Sequence, residues 1–273
     1  MVRIVAVGDN DVDCYLADGQ MYPGGNCFNV SIFARRCGAE AAYVGAVGDD
    51  VPGRLIRHVL DNEGVDASRL RVVEGRTAHC VIGHTGADRH FVSYDLGVSR
   101  FEPSRDDLDF IARYDAAHVY QHAGLDEWLG ALSSVTRLSY DFSTRREAGH
   151  RARVASHCWL ASLSATETSS AELAGLVDDM HAAGATWVLA TRGADGAVLS
   201  GGNATHEVAA TPATVVDTLG AGDSFIARVI VGLLRNEPPD ALLRAAADEA
   251  GRTCSYFGAV GYSAPSTVPL VVP

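Results

Sequence analysis

The stretch Val215-Val216-Asp217-Thr218-Leu219-Gly220-Ala221-Gly222-Asp223-Ser224-Phe225 places three small residues between a strand-like run and a helix-like one. Beyond it the apolar residues Phe225, Ile226, Val229, Ile230, Leu233 and Leu234 follow a 3.6-residue period, so Gly220, Ala221 and Gly222 are expected at the N-terminus of a helix. Free backbone N–H groups and the helix dipole make such an end an anion site, and the absence of side chains lets a phosphate come close. A carboxylate at that end repels a phosphate. Asp223 therefore has two readings: a helix cap, or a base facing a neutral hydroxyl whose proton must leave as a phosphoryl group arrives.

Two further glycine-rich segments invite a small polar ligand. Pro23-Gly24-Gly25-Asn26-Cys27-Phe28-Asn29 leads into a helical pattern, and Gly24 and Gly25 let a polyhydroxyl compound approach the backbone. Asn29, on the first helical turn, both donates and accepts hydrogen bonds. An ordinary glycine turn is the alternative. Thr191-Arg192-Gly193-Ala194-Asp195-Gly196 sits between two strand-like runs, so its Gly-x-x-Gly belongs to a hairpin and is not the dinucleotide fingerprint that precedes a helix.

Taken together, these segments resemble the signatures of the ribokinase-like, or pfkB, carbohydrate kinases, and Asp-Thr-x-Gly-Ala-Gly-Asp is the most specific of them. The resemblance implies that Gly220, Ala221 and Gly222 stabilise the transferred phosphoryl group and that Asp223 is the catalytic base. It implies that Asp217 and Thr218 lie beside a phosphate and monovalent-cation region, that Thr191, Gly193 and Gly196 cradle ATP, and that Gly24, Gly25 and Asn29 hold the sugar. ATP and Mg2+ are the expected cofactors, with K+ as an option, and a homodimer through a lid is a possible assembly. The Gly8-Asp9-Asn10-Asp11-Val12-Asp13 and Asp88-Arg89-His90-Phe91 segments are similar to the fructosamine-kinase branch, as is Asp141-Phe142-Ser143. In that reading Asp13 accepts two sugar hydroxyls, Asp9 or Asp11 meets an ammonium, and Arg89 meets a carboxylate; solvated loop charges are the alternative.

Three features depart from the family pattern. Arg228 stands where a glycine is usual, one turn past Asp223, either near the site or toward solvent. The Asn-x-x-Glu motif is missing, and around Ser162–Glu167 only Glu167 offers a carboxylate for a metal. The chain is also short for the family and Pro-rich from Pro265. A ribokinase, a nucleoside kinase or a non-catalytic sugar or nucleotide sensor of the same fold are the competing readings.

Composition limits the field. A net charge of -12 lacks the clustered cations of a nucleic-acid surface. Six scattered cysteines suggest reduced thiols, and with no long apolar run the expected setting is cytoplasmic, without a membrane partner. His118 and His122 flank a strand end, so a shared zinc is not expected.

The elements that must carry these residues alternate between strand and helix. Arg3–Val7, Ala42–Val47, Ala116–Tyr120, Leu138–Phe142, His157–Ala161 and Thr186–Thr191 read as strands. Phe28–Cys37 closes at Gly38, the next helix is capped by Asp50 and ends at Gly64, and Ser170–Ala183 forms a third. The predicted architecture is an α/β, ribokinase-like three-layer fold: a mainly parallel central sheet with helices on both faces and a small β-sheet lid. We expect one catalytic domain over 1–273, with lid segments near 10–24 and 72–98.

Overall fold

The computed structural model describes the backbone of residues 1–85, 88–202 and 204–268, and the side chains of the same ranges except 84–91. In chain order the elements are β1 (Arg3–Val7), β2 (Asp11–Tyr15), β3 (Gln20–Gly24), α1 (Asn26–Arg36), β4 (Glu40–Gly48), α2 (Val51–Asn62), β5 (Asp66–Val73), β6 (His79–Thr85) and β7 (Asp88–Asp95). There follow α3 (Arg105–Ile111), β8 (Ala116–Tyr120), α4 (Leu129–Val135), β9 (Arg137–Asp141), α5 (Ala148–Ala155), β10 (Leu160–Ser164) and α6 (Ser170–Ala183). The last are β11 (Trp187–Thr191), β12 (Ala197–Gly201), β13 (Ala204–Val208), α7 (Ala221–Leu234), α8 (Pro239–Thr253) and β14 (Ala264–Pro265).

Nine strands form the central sheet in the order β13-β12-β11-β10-β9-β8-β1-β4-β5. All neighbours run parallel except β11 with β12 and β12 with β13. Parallel strands are covered on both faces and so read as unbroken apolar runs, and β1 shows how they are shared out. Ile4 and Ala6 pack into a core with α1, α2, α7 and α8, while Val5 and Val7 join α3 to α6 on the other face. The period of two in a single strand thus feeds two separate cores.

A second sheet has the order β14-β3-β2-β6-β7, and its strand pairs are antiparallel except β2 with β6. Four of its strands come from the 10–24 and 72–98 segments, β14 adds Ala264–Pro265 from near the C-terminus, and one boundary needs correction. Val72 and Val73 do not belong to it, because they end β5 at the edge of the central sheet, pairing with Val47 and Gly48. The turn between the sheets is tied down by Asp50, whose carboxylate caps α2 at the Gly53 N–H and also accepts from the Thr77 backbone and hydroxyl.

Three boundaries differ from the sequence reading for reasons outside the local sequence. Helix α1 starts at Asn26 rather than Phe28, since the Asp9 carboxylate accepts the N–H groups of Asn26 at 2.8 Å and Cys27 at 3.2 Å. Strand β10 starts at Leu160 because residues 157 and 158 close the end of α5, donating to Val154 and Ala155. Val215 and Val216 are not in a strand. They lie exposed past Pro212, with the Val216 N–H donating to the Cys254 carbonyl at the end of α8.

All six cysteines are free. No helix among the described residues is long and apolar enough to cross a membrane.

Candidate active site

A cavity of about 1090 Å³ opens where β1, β8, β9, β10 and β11 end at their carboxyl edge, beneath the small sheet. This is where an open α/β sheet leaves a crevice. One half is acidic, lined by Asp9, Asp11, Asp13, Asp141 and Asp223 together with Asn26 and Asn29. The other half is small and apolar, with Gly193, Ala194 and Gly196 from the β11–β12 hairpin facing Ala210–Ala213 and the Ala247, Ala250 and Gly251 surface of α8. Among the described lining residues there is no lysine or arginine.

Helix α7 projects between the two halves. Gly220 is its left-handed N-cap at φ 78°, and a Cβ there would lie 2.6 Å from that of Ala259, so only glycine fits. The helix begins with no side-chain cap, and the Gly222 and Asp223 N–H groups have no backbone acceptor among the described residues. A Cβ on Gly222 would meet nothing within 4 Å. The glycine therefore keeps clear the space into which those N–H groups point, as an anion site requires.

Asp223 is not a cap. One carboxylate oxygen accepts from Asn26 Nδ2 at 2.8 Å and the other from Asn29 Nδ2 at 2.7 Å. Burial pushes its pKa up to about 7; the Asn29 and Asn26 hydrogen bonds oppose this, and the charges of Asp141 and Asp9 reinforce it. Asp141 rises to about 6, again mainly through burial. It accepts from Asn26 Nδ2, the Ser143 N–H and the Ser162 hydroxyl.

The β1–β2 loop and β2 supply the remaining acids. Both Asp9 oxygens are taken by the α1 N–H groups, so its first task is to start that helix at the cavity wall. Burial also pushes its pKa up. Asp11 is raised further, by burial and then by the charges of Asp13, Asp9 and Asp223. Asp11 and Asp13 share one side of β2, and Gly24 on the paired strand makes room for both: a Cβ at Gly24 would lie 2.4 Å from Asp13 Oδ2 and 3.0 Å from Asp11 Oδ1. Gly24 thus clears the carboxylates and does not itself line the cavity, whereas Gly25, at φ 99° against the Asn10 backbone, does.

Thr191, Gly193, Gly196 and Thr218 line the cavity as the sequence suggests. Asp217 does not. Its carboxylate accepts from the Tyr15 hydroxyl at 2.5 Å and from the N–H groups of Leu219 and Gly258 at 3.0 Å, which ties the loop before α7 to the small sheet. Glu167 is exposed, with a left-handed backbone, and is not among the lining residues. Arg228 pairs with Glu237 at 2.5 Å toward the far end of α7, which answers its position: it faces away from the cavity. The Arg89 side chain lies outside the described residues.

Sequence reasoning missed Asn26 as a hub. Its amide touches both Asp141 and Asp223, and its oxygen lies 2.8 Å from His118 Nε2, inside β8. His118 is therefore a buried strand residue and not one at a strand end. The only available signal was a polar residue following Gly24-Gly25, and nothing local shows what it meets.

A crevice with an uncapped glycine helix start beside a buried carboxylate suits phosphoryl transfer, and the comparisons specify the class. The model of the pfkB family of carbohydrate kinases matches residues 1–266. Fructosamine kinase FrlD of Bacillus subtilis (strain 168) is 35% identical over 269 residues, covering 97% of this chain and 95% of its own. Fructoselysine 6-kinase of Escherichia coli (strain K12) is 31% identical, covering 95% and 100%. The structure of Arabidopsis thaliana ribokinase complexed with ribose and ATP superposes with a TM-score of 0.83 over 95% of both chains at 22% identity, which shows the shared fold. The chain belongs to the pfkB family of carbohydrate kinases, and it is a sugar phosphotransferase of the ribokinase fold.

Proposed function

We propose that the enzyme transfers the γ-phosphoryl group of ATP to the 6-hydroxyl of a fructosamine such as fructoselysine. One observation carries this reading: five carboxylates line the acidic half of the cavity, and the described lining offers no lysine or arginine to balance them, only His122. A neutral sugar gains little from such a field. A sugar–amine adduct brings an ammonium, and the fit agrees with the names of the two similar curated enzymes.

In this reading Asp13 accepts sugar hydroxyls, with Gly25 and Asn29 beside it, and Asp11 faces the ammonium. Arg89 meets the adduct's carboxylate. The Asp223 carboxylate takes the hydroxyl proton, for which an acidity near neutrality is well matched. The free N–H groups of Gly222 and Asp223, at the helix start that Gly220, Ala221 and Gly222 build, face the charge that develops on the phosphoryl oxygens. Thr191, Gly193, Gly196 and Thr218 line the nucleotide half, where Gly193, Ala194, Gly196, Ala247, Ala250 and Gly251 leave a surface that a flat base and a phosphate chain can approach closely. The small sheet is the lid of a single catalytic unit spanning 1–273, and a homodimer would form along its β7 edge. Free thiols suit a cytoplasmic setting.

Mg2+ would neutralise phosphate charge. No cluster of three metal-binding side chains exists among the described residues, and Glu167 is exposed, so the fit is to an ion held largely by phosphates and water. The Asp217 carboxylate, already accepting three hydrogen bonds, does not suit direct ligation of K+.

The test is ADP release with a panel of fructoselysine, glucoselysine, fructose, ribose and adenosine. Fructoselysine is expected to exceed fructose in kcat/KM by at least about tenfold, as one charge-assisted contact provides. Arg89→Ala is expected to slow the adduct more than free fructose. Equal kcat/KM for the two acceptors would leave only the broader sugar-kinase assignment.

A further inference from the structure

Behind the acidic wall, a line of hydrogen bonds runs out of the central sheet. Ser139 Oγ on β9 lies 3.0 Å from His118 Nδ1 on β8, and His118 Nε2 lies 2.8 Å from Asn26 Oδ1. Asn26 Nδ2 then reaches Asp141 Oδ2 at 2.9 Å and Asp223 Oδ1 at 2.8 Å. Ser139 and His118 are fully buried, and Asn26 nearly so.

The direction of every bond in this line is fixed by chemistry. An amide oxygen only accepts, so His118 must donate from Nε2. Burial holds the ring neutral, leaving Nδ1 as an acceptor for the Ser139 hydroxyl. The Asn26 amide is thereby locked with both N–H bonds toward carboxylates. Asn29 is different. It also donates to Asp223, yet its Oδ1 is buried without a partner, so its amide can turn over or release Asp223 to a substrate hydroxyl.

We propose that Asn26 is a positioning residue for Asp223 and that His118, backed by Ser139, is what holds it: the Ser139–His118–Asn26 line keeps one N–H on Asp223 throughout turnover while Asn29 exchanges. The inference rests on Asp223 being the base. The groups facing Asp223 are Asn26 and Asn29 from α1, Asp141 from the end of β9, and Asp9 and Asp11 from the β1–β2 region. Of these only the two amides favour the ionised form, and only Asn26 is fixed in place. Losing its N–H makes Asp223 harder to ionise.

His118→Leu retains an apolar interior but removes the donor. With the best acceptor of the panel, kcat is expected to fall about tenfold to a hundredfold while KM for ATP and sugar stays within about threefold. The acidic limb of the kcat–pH profile is expected to move up by about half a unit to one unit, the scale of a lost charge-assisted hydrogen bond. His118→Gln places an amide N–H near the same Asn26 oxygen and is expected to return the limb toward that of the parent. A merely structural His118 would lower the melting temperature without moving the limb. Should His118→Leu fail to fold, Asn26→Ala at the cavity wall is expected to give the same upward shift. An unmoved limb in a folded, active His118→Leu or Asn26→Ala overturns the inference. Near-normal kcat in Asp223→Asn instead overturns the base assignment beneath it.

Discussion

Replacing Asp223 by Asn should make this enzyme both inactive and, at alkaline pH, more stable. In the fold the carboxyl titrates near pH 7, against an ordinary value of 3.8. Between those values the folded chain holds a proton that the unfolded chain has released. Stability from this group is therefore present below pH 4 and is lost as pH rises through 7. Two units of that interval, from pH 5 to pH 7, correspond to a ceiling of about 2.7 kcal/mol at 1.36 kcal/mol per unit. Asp223 keeps some exposure at the cavity, so about 1 to 2 kcal/mol is the expected effect. The new amide is accommodated because Asn29 can turn its partnerless oxygen toward the added N–H, while Asn26 still finds an oxygen to donate to. Urea unfolding of parent and variant at pH 5 and pH 8 measures this: the variant's advantage should grow by that amount between the two. ADP release should fall by about two to four orders of magnitude at every pH, as loss of a general base requires. A stability difference that is flat with pH would refute the buried, proton-holding carboxylate, and near-normal kcat would refute its role as base.

Two other perturbations separate scaffold from chemistry. Gly222→Leu enters open space, so unfolding should change by less than about 1 kcal/mol while kcat drops about a hundredfold or more through obstruction of the helix N-terminus. Gly220→Ala should instead cost about 1 to 3 kcal/mol in urea unfolding, because its Cβ meets Ala259 in a left-handed conformation. Asp11→Asn is expected to shrink the kcat/KM ratio of fructoselysine over fructose by about tenfold, leaving fructose kinetics nearly unchanged; an unaltered ratio would remove Asp11 from ammonium recognition.

Helices α1, α2, α6 and α7 and most central strands were legible because their signals are local, whereas α3, α4, α5 and α8 went unread. Asp50 caps α2, Gly38 and Gly64 follow α1 and α2, and the apolar face of α7 starts at Phe225 as its period demands. The small sheet was legible as a break in rhythm, although β5 went unread and its last residues were given to the lid, since an edge strand carrying Arg69 and Arg71 looks like loop. What could not be read were partners distant in sequence. Asp9 looked like a substrate ligand until its bonds to the α1 N–H groups appeared, and those bonds also explain the early start of that helix. Asn26 meets residues 92, 115 and 197 positions away. Val215 and Val216 have strand composition, but the chain there crosses the end of α8, where no strand is available to pair.

The acidic half of the cavity also bears on how a catalytic cycle ends. Phosphorylation turns the acceptor into a compound with a new dianion, which must then sit among Asp9, Asp11, Asp13, Asp141 and Asp223 with no lysine or arginine in the described lining to hold it. Among the described residues its counterparts are His122 and the helix N-terminus, joined by the cation that arrives with the nucleotide. For the cationic adduct proposed above, the acidic wall that favours the acceptor would oppose the phosphorylated form once the nucleotide departs, so the same carboxylates would favour both capture of substrate and release of product.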